Sequence, residues 1–106
     1  MPCRDKKKLE DKRIWTRMGR ELVALRELLA DIATDPDYQD IMDRKTWDKL
    51  LRAQGHIDTV RCEAENRMNR VFPDCTMAHT FYPLDKQEIY AAIEDFRDTV
   101  RKEAVQ

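Results

Sequence analysis

The stretch Trp15-Thr16-Arg17-Met18-Gly19-Arg20-Glu21-Leu22-Val23-Ala24-Leu25-Arg26-Glu27-Leu28-Leu29-Ala30-Asp31-Ile32 decides the fold. Its apolar residues Trp15, Met18, Leu22, Leu25, Leu29 and Ile32 are spaced 3, 4, 3, 4 and 3 apart. That is a heptad-like stripe along one side of a helix, with a period no strand can satisfy. Val23 and Leu28 widen the stripe, which suits a bundle helix better than a narrow two-stranded seam. Gly19 inside it costs roughly 1 kcal/mol of helix propensity relative to Ala. It either permits a close helix contact or is simply tolerated.

Toward the C-terminus the helix ends at Thr34-Asp35-Pro36-Asp37. The residue before a proline is pushed out of the α region, and Asp followed by Pro suits a new helix start. A short helix over about 36–43 turns Tyr38, Ile41 and Met42 inward. The apolar phase then shifts, and Thr46 is the expected cap of a third helix from about Trp47 to Arg70. Its inner stripe is Leu50, Ala53, Ile57, Val60, Ala64, Met68 and Val71, and Gly55 falls on the outer side. The acid-first pairs Asp48–Arg52 and Glu63–Arg67 support its outer face. Residues 71–83 are irregular but apolar, and Phe72, Met77, Phe81 and Tyr82 are expected to fold over one end of the bundle. A last helix opens at Asp85, with Glu88 completing a capping box and Leu84 and Ile89 forming a staple. Its inner stripe is Ile89, Ala92, Ile93, Phe96 and Val100, with Asp98–Lys102 on the exposed face.

Composition agrees. The chain has 106 residues, room for one domain. Only two residues are Gly and four are Pro, so most of the chain must lie in long regular elements. Charged residues reach 39%, against about 25% in ordinary globular proteins. The expected fold is all-α: a three- or four-helix bundle of long, heptad-like amphipathic helices over residues 9–106, preceded by a flexible basic arm at 1–8.

Net charge is −1, which excludes a global field toward nucleic acid or an anionic membrane. The charges are blocked, however. Residues 1–20 hold eight basic and three acidic groups, and residues 21–43 one basic and seven acidic. Residues 44–70 hold seven and four, and residues 71–106 four and seven. Such alternation suits helices that attract their neighbours across a bundle. No apolar run is long enough to span a bilayer or resembles a secretion signal. The three cysteines, Cys3, Cys62 and Cys75, are an odd set and argue against a disulfide framework. A cytoplasmic protein with reduced thiols is expected.

Chemistry-bearing constellations are sparse. His56, Cys62, Cys75 and His79 are zinc-ligand types, but only Cys75 and His79 are close in sequence, and small packed cysteines are the commoner case. A Cys75/His79 nucleophile pair lacks any signature of an orienting group or of oxyanion donors. Gly-rich phosphate loops and HExxH are absent. The expectation is therefore a non-enzymatic protein with no cofactor, no resident metal and no small-molecule substrate.

Two binding readings remain. In the first, the apolar stripes make the chain an interaction module, an adaptor or small regulator that pairs with itself as a homodimer or with another protein. Trp15, Met18, Leu22, Trp47, Phe72, Phe81 and Tyr82 are its candidate interface, or the core next to it. In the second, Lys6, Lys7, Lys8, Lys12, Arg13 and Arg17 contact the phosphates of a nucleic acid. That would make the chain an accessory factor of a size common among phage and mobile-element products.

Overall fold

The computed structural model describes residues 5–74 and 76–105. The described residues form five helices and no strand. The all-α expectation holds.

Aspartate caps set most of the boundaries. Asp5 accepts from the amides of Lys7 and Lys8, at 2.9 and 3.4 Å, and caps a single turn, α1 (Lys6–Leu9). A helical turn thus stands where the sequence suggested an arm; residues 1–4 of that arm lie outside the described residues. Asp11 accepts from the Arg13 amide at 3.0 Å and starts α2 (Lys12–Thr34). Asp35 closes α2 and, accepting from the Asp37 amide at 2.9 Å, opens α3 (Pro36–Ile41). An Asp cap followed by Pro at the first helical position is the arrangement the sequence indicated.

Two helix starts differ from the sequence reading. Asp43, not Thr46, caps α4 (Arg44–Val71), by accepting from the Thr46 amide at 2.7 Å. Asp caps at least as well as Thr, and from position 43 its carboxylate reaches the amide three residues on. That bond from the Thr46 amide, then the Thr46 hydroxyl, holds the Asp43 carboxyl below its ordinary value of 3.8. The helix continues unbroken through Gly55. At the start of α5 (Gln87–Val105), Asp85 accepts from the Gln87 amide at 3.0 Å. The capping box does not close, because Glu88 reaches Arg20 on α2 instead, at 2.9 Å. The staple is absent too, since Leu84 is 85% exposed.

The central element is α2. α4 runs antiparallel beside it, with Met68 near Trp15 and Asp58 against Arg26 at 2.8 Å. α5 runs parallel on another side, with Glu88 at Arg20 and Arg97 at 3.1 Å from Asp31 and 3.6 Å from Asp35. α4 and α5 each pack on α2 and hardly touch each other. Lys86 pairs with Glu27 at 3.0 Å. Ion pairs thus link α4 and α5 to α2, but only Arg20–Glu88 joins a basic block to an acidic one as the charge alternation suggested; the others use single opposite charges within the blocks. By contrast, the within-helix pairs Asp48–Arg52, Glu63–Arg67 and Asp98–Lys102 do not close. The exposed Arg20–Glu88 pair contributes about 0–1 kcal/mol, whereas the pairs of Arg26, Lys86 and Arg97 are partly buried and less screened.

A buried cluster closes one end, and Val23, Ala33 and Ile93 are buried farther along. Trp15, Met68, Met77 and Phe81 form the cluster, with Leu9, Met18, Leu22, Ala64, Val71 and Phe72 packed against it. The connection 72–86 leaves α4, crosses α2 and enters α5. Its crossing point is Gly19. A Cβ there would lie 2.5 Å from the Thr80 carbonyl oxygen and 2.8 Å from Thr80 Cγ2. The close neighbour that Gly19 admits is thus the backbone of the connection and not another helix.

The molecule is elongated. The radius of gyration is 16.6 Å, against about 13 Å for a compact chain of this length. The accessible surface is 8322 Å², roughly 2,000 Å² above the ~6,200 Å² of a compact monomer of this mass.

Gly19→Ala should lower stability by about 1–2 kcal/mol in urea denaturation, because overpacking against backbone outweighs the gain in helix propensity. Gly55→Ala, where an added Cβ meets nothing within 4 Å, should raise it by about 0.5–1 kcal/mol. A Gly19→Ala chain as stable as the parent would contradict the crossing.

Candidate protein-binding faces

The structure divides the seven candidate interface residues. Trp15 and Phe81 are buried, at 6% and 0% exposure, with ring centroids 6.3 Å apart and edge-on at 80°. Met18, Leu22 and Phe72 pack against the same cluster. These five belong to the chain's own core, covered by the irregular segment rather than by a partner. Trp15 is held twice, since its indole Nε1 also donates to the Leu9 carbonyl at 2.7 Å, tying α1 onto α2. Trp47 is half-buried near the start of α4, and Tyr82 is 40% exposed.

Arg61 is the site residue that sequence reasoning missed. It is 6% exposed and donates from Nε and Nη2 to the Phe81 carbonyl, at 3.2 and 2.7 Å. Its Nη1 lies 3.5 Å from Asp58, and its guanidinium stacks over Tyr82, 4.3 Å from the ring centroid. A planar, five-donor group can serve a carbonyl, a carboxylate and a ring together, which an ammonium cannot. The sequence offers only an arginine at the edge of an apolar stripe, and nothing marks its acceptor twenty residues on. Burial pushes the Tyr82 hydroxyl above its ordinary value of 10.0, against the opposing pull of Arg61.

Beside Tyr82 lies a cleft of about 370 Å³ between α4 and the connection, lined by Met68, Phe72, Met77, His79 and Glu65 among others. His79 has φ 67°, in the left-handed region. Histidine is among the residue types enriched there. Among the described residues no group of three or more His, Cys, Asp or Glu could hold a metal ion. Cys62 is exposed and free; Cys75, the proposed partner of His79, lies outside the described residues, as does Cys3.

The candidate phosphate-binding residues are partly occupied. Arg13 pairs with Asp11 at 3.1 Å, and Lys12 sits 5.5 Å from the Phe72 ring centroid. Lys6, Lys7, Lys8 and Arg17 are exposed and make no ion pair among the described residues.

Exposed large apolar side chains occur on every long element and on the connection, where Leu84 is 85% exposed. Leu25 (41%), Leu51 (45%), Val60 (45%), Phe96 (57%) and Val100 (45%) are all well outside the core. Leu28, Ile32, Phe96 and Val100 line one shallow groove between α2 and α5. The inner stripe expected for α5 is thus only partly inner: Ile93 is buried, while Phe96 and Val100 reach solvent.

Neither a family model, nor a curated protein, nor a solved structure matches the chain. No helix is long and apolar enough to cross a membrane among the described residues.

Arg61→Ala should cost about 2–4 kcal/mol, because it orphans the Phe81 carbonyl and empties a buried cationic site. Arg61→Lys should recover less than half of that loss. Denaturant midpoints measure both, and an unchanged midpoint for Arg61→Ala would refute the clamp.

Proposed function

We propose that this chain is a non-enzymatic helical interaction module, an adaptor or small regulator, that associates with itself. One observation carries the reading: an accessible surface about 2,000 Å² above that of a compact monomer of equal mass, with large apolar side chains within it. Stable interfaces bury about 800 Å² on each partner, so the surplus is large enough to supply one. Burying apolar surface at about 25 cal/mol per Å² is the main source of such association. The support lies in the unfilled flank of α5 and not in the Trp15 end of the stripe, which the chain covers itself.

Sedimentation equilibrium of the full chain tests this. The weight-average mass should rise from 12.7 kDa toward twice that value as concentration increases through the micromolar range. A mass fixed at the monomer value up to about 1 mM, where association would be worth no more than about 4 kcal/mol, would remove self-association.

A second reading, nucleic-acid binding, is favoured only by the exposed Lys6, Lys7, Lys8 and Arg17, which make no ion pair among the described residues. A duplex or single strand bound through them should lose affinity with rising salt. Changing all four to Gln should abolish that binding in a fluorescence-anisotropy titration. Affinity and salt slope that survive the change would eliminate this reading.

A further inference from the structure

Among the described residues, the basic side chains that are buried or half-buried are Arg26, Arg61, Arg67, Lys86 and Arg97. All but one of them meet a carboxylate. The exception is Arg67 on α4, which makes no ion pair among the described residues. A half-buried guanidinium without a counter-charge carries a desolvation cost that nothing in the fold offsets. Arg67 lines a groove of about 220 Å³ where α1, α2 and α4 come together. Lys8, from α1, lines it too, exposed and also without an ion pair among the described residues. Leu9, Ile14, Trp15 and Met18 make the lining between these cations apolar. Asp5 is the acidic lining residue, but its carboxylate accepts from the Lys7 and Lys8 amides and pairs with neither cation. Glu10 and Glu63 are exposed and line no part of the groove. Lys6 and Lys7 share the single turn of α1 with Lys8, and Arg17 lies about 60° round α2 from Ile14.

From this placement we infer that the groove holds one nucleotide of a single-stranded nucleic acid, with its base against Ile14 and Met18 and its flanking phosphates at Lys8 and Arg67. The inference rests on the nucleic-acid reading and gives that reading a site. Charge complementarity selects the occupant. In a single strand every base is a flat, largely apolar ring system with an anion on either side. The groove offers the complement, an apolar lining between two cations supplied by different helices. Grooves that bind single strands combine the same two elements, cations along the backbone and a surface for the bases. Size points the same way, because the space suits one base and a duplex could not enter it. A duplex keeps its bases stacked inside and turns only phosphates outward, so it would meet the exposed lysines and leave the groove empty. The Trp15 ring is held in the core against Phe81 and through its bond to the Leu9 carbonyl. Charge and aliphatic contact therefore carry the binding, with little preference among base sequences.

The test uses the full chain in fluorescence-anisotropy titrations, with circular dichroism to follow the fold. The probes are a labelled oligothymidylate of about fifteen nucleotides and a duplex of equal phosphate number. The strand should bind at least tenfold more tightly than the duplex. Arg67→Gln should weaken strand binding at least fivefold and make its salt slope shallower by about 0.7. The same change should hold or raise the urea midpoint, because it removes an uncompensated charge. Ile14→Glu should abolish strand binding with helicity unchanged. Arg52→Gln, exposed on α4 and outside the groove, should leave binding unaltered. A parent chain that binds neither probe overturns both this inference and the nucleic-acid reading. A parent that binds the strand while folded Arg67→Gln and Ile14→Glu chains bind it equally well overturns the groove alone, as does a duplex bound as tightly as the strand. An Arg67→Gln chain that loses stability and binding together assigns Arg67 to the fold and overturns its phosphate contact. Polyglutamate that displaces the strand at equal charge concentration overturns the inference in favour of an acidic protein partner.

Discussion

The backbone of Thr80 rests on the bare Cα of Gly19, and the rest of the molecule is arranged around that contact. Because the connection can lie flat on α2 there, Phe81 drops fully into the space between Trp15 and Met68. Burying such a side chain contributes roughly 1.5–3 kcal/mol. Its carbonyl, drawn inside with it, needs a donor, and Arg61 supplies two. A buried carbonyl without a partner would cancel much of what the phenyl ring gains. Glycine, phenylalanine and arginine thus act as one unit, although 62 residues of sequence separate the first from the second.

That unit makes the bundle asymmetric. Its closed end has an aromatic cluster, a loop cover, and α1 tied to the Trp15 indole. Beyond it, α4 and α5 each pack on α2 and hardly touch each other, oriented by ion pairs at Arg26, Glu27 and Arg97. Phe96 and Val100 line a groove with Leu28, Ile32 and Tyr38 that leaves both partly in water.

Local signals were legible in the sequence, and pairings across the chain were not. The 3–4 spacing from Trp15 to Ile32 and the Asp35-Pro36 break each reflect physics confined to a few residues, and α2 and α3 lie where they indicate. The apolar character of 71–83 likewise foretold a loop folded over one end. Thr46 was misread as a cap because two good capping residues stand three apart and Asp43 wins by reaching the third amide. Glu88 looked like half of a capping box because Arg20, its actual partner, is distant in sequence. The same limit explains the candidate interface. Trp15, Met18 and Leu22 form an apolar stripe whether a partner or the chain's own loop covers it, and only the path over Gly19 decides for the loop. Phe96 and Val100 read as core because period alone cannot reveal which turns of a stripe a neighbouring helix covers.

Hydrogen exchange on the full chain, compared at concentrations below and above the onset of association, tests the two-sided character of the molecule most directly. Amides of α5 around Phe96 should gain protection with concentration, while those of the 76–86 connection stay as they are. Added protection confined to the connection and Tyr82, or none at any concentration, would contradict it.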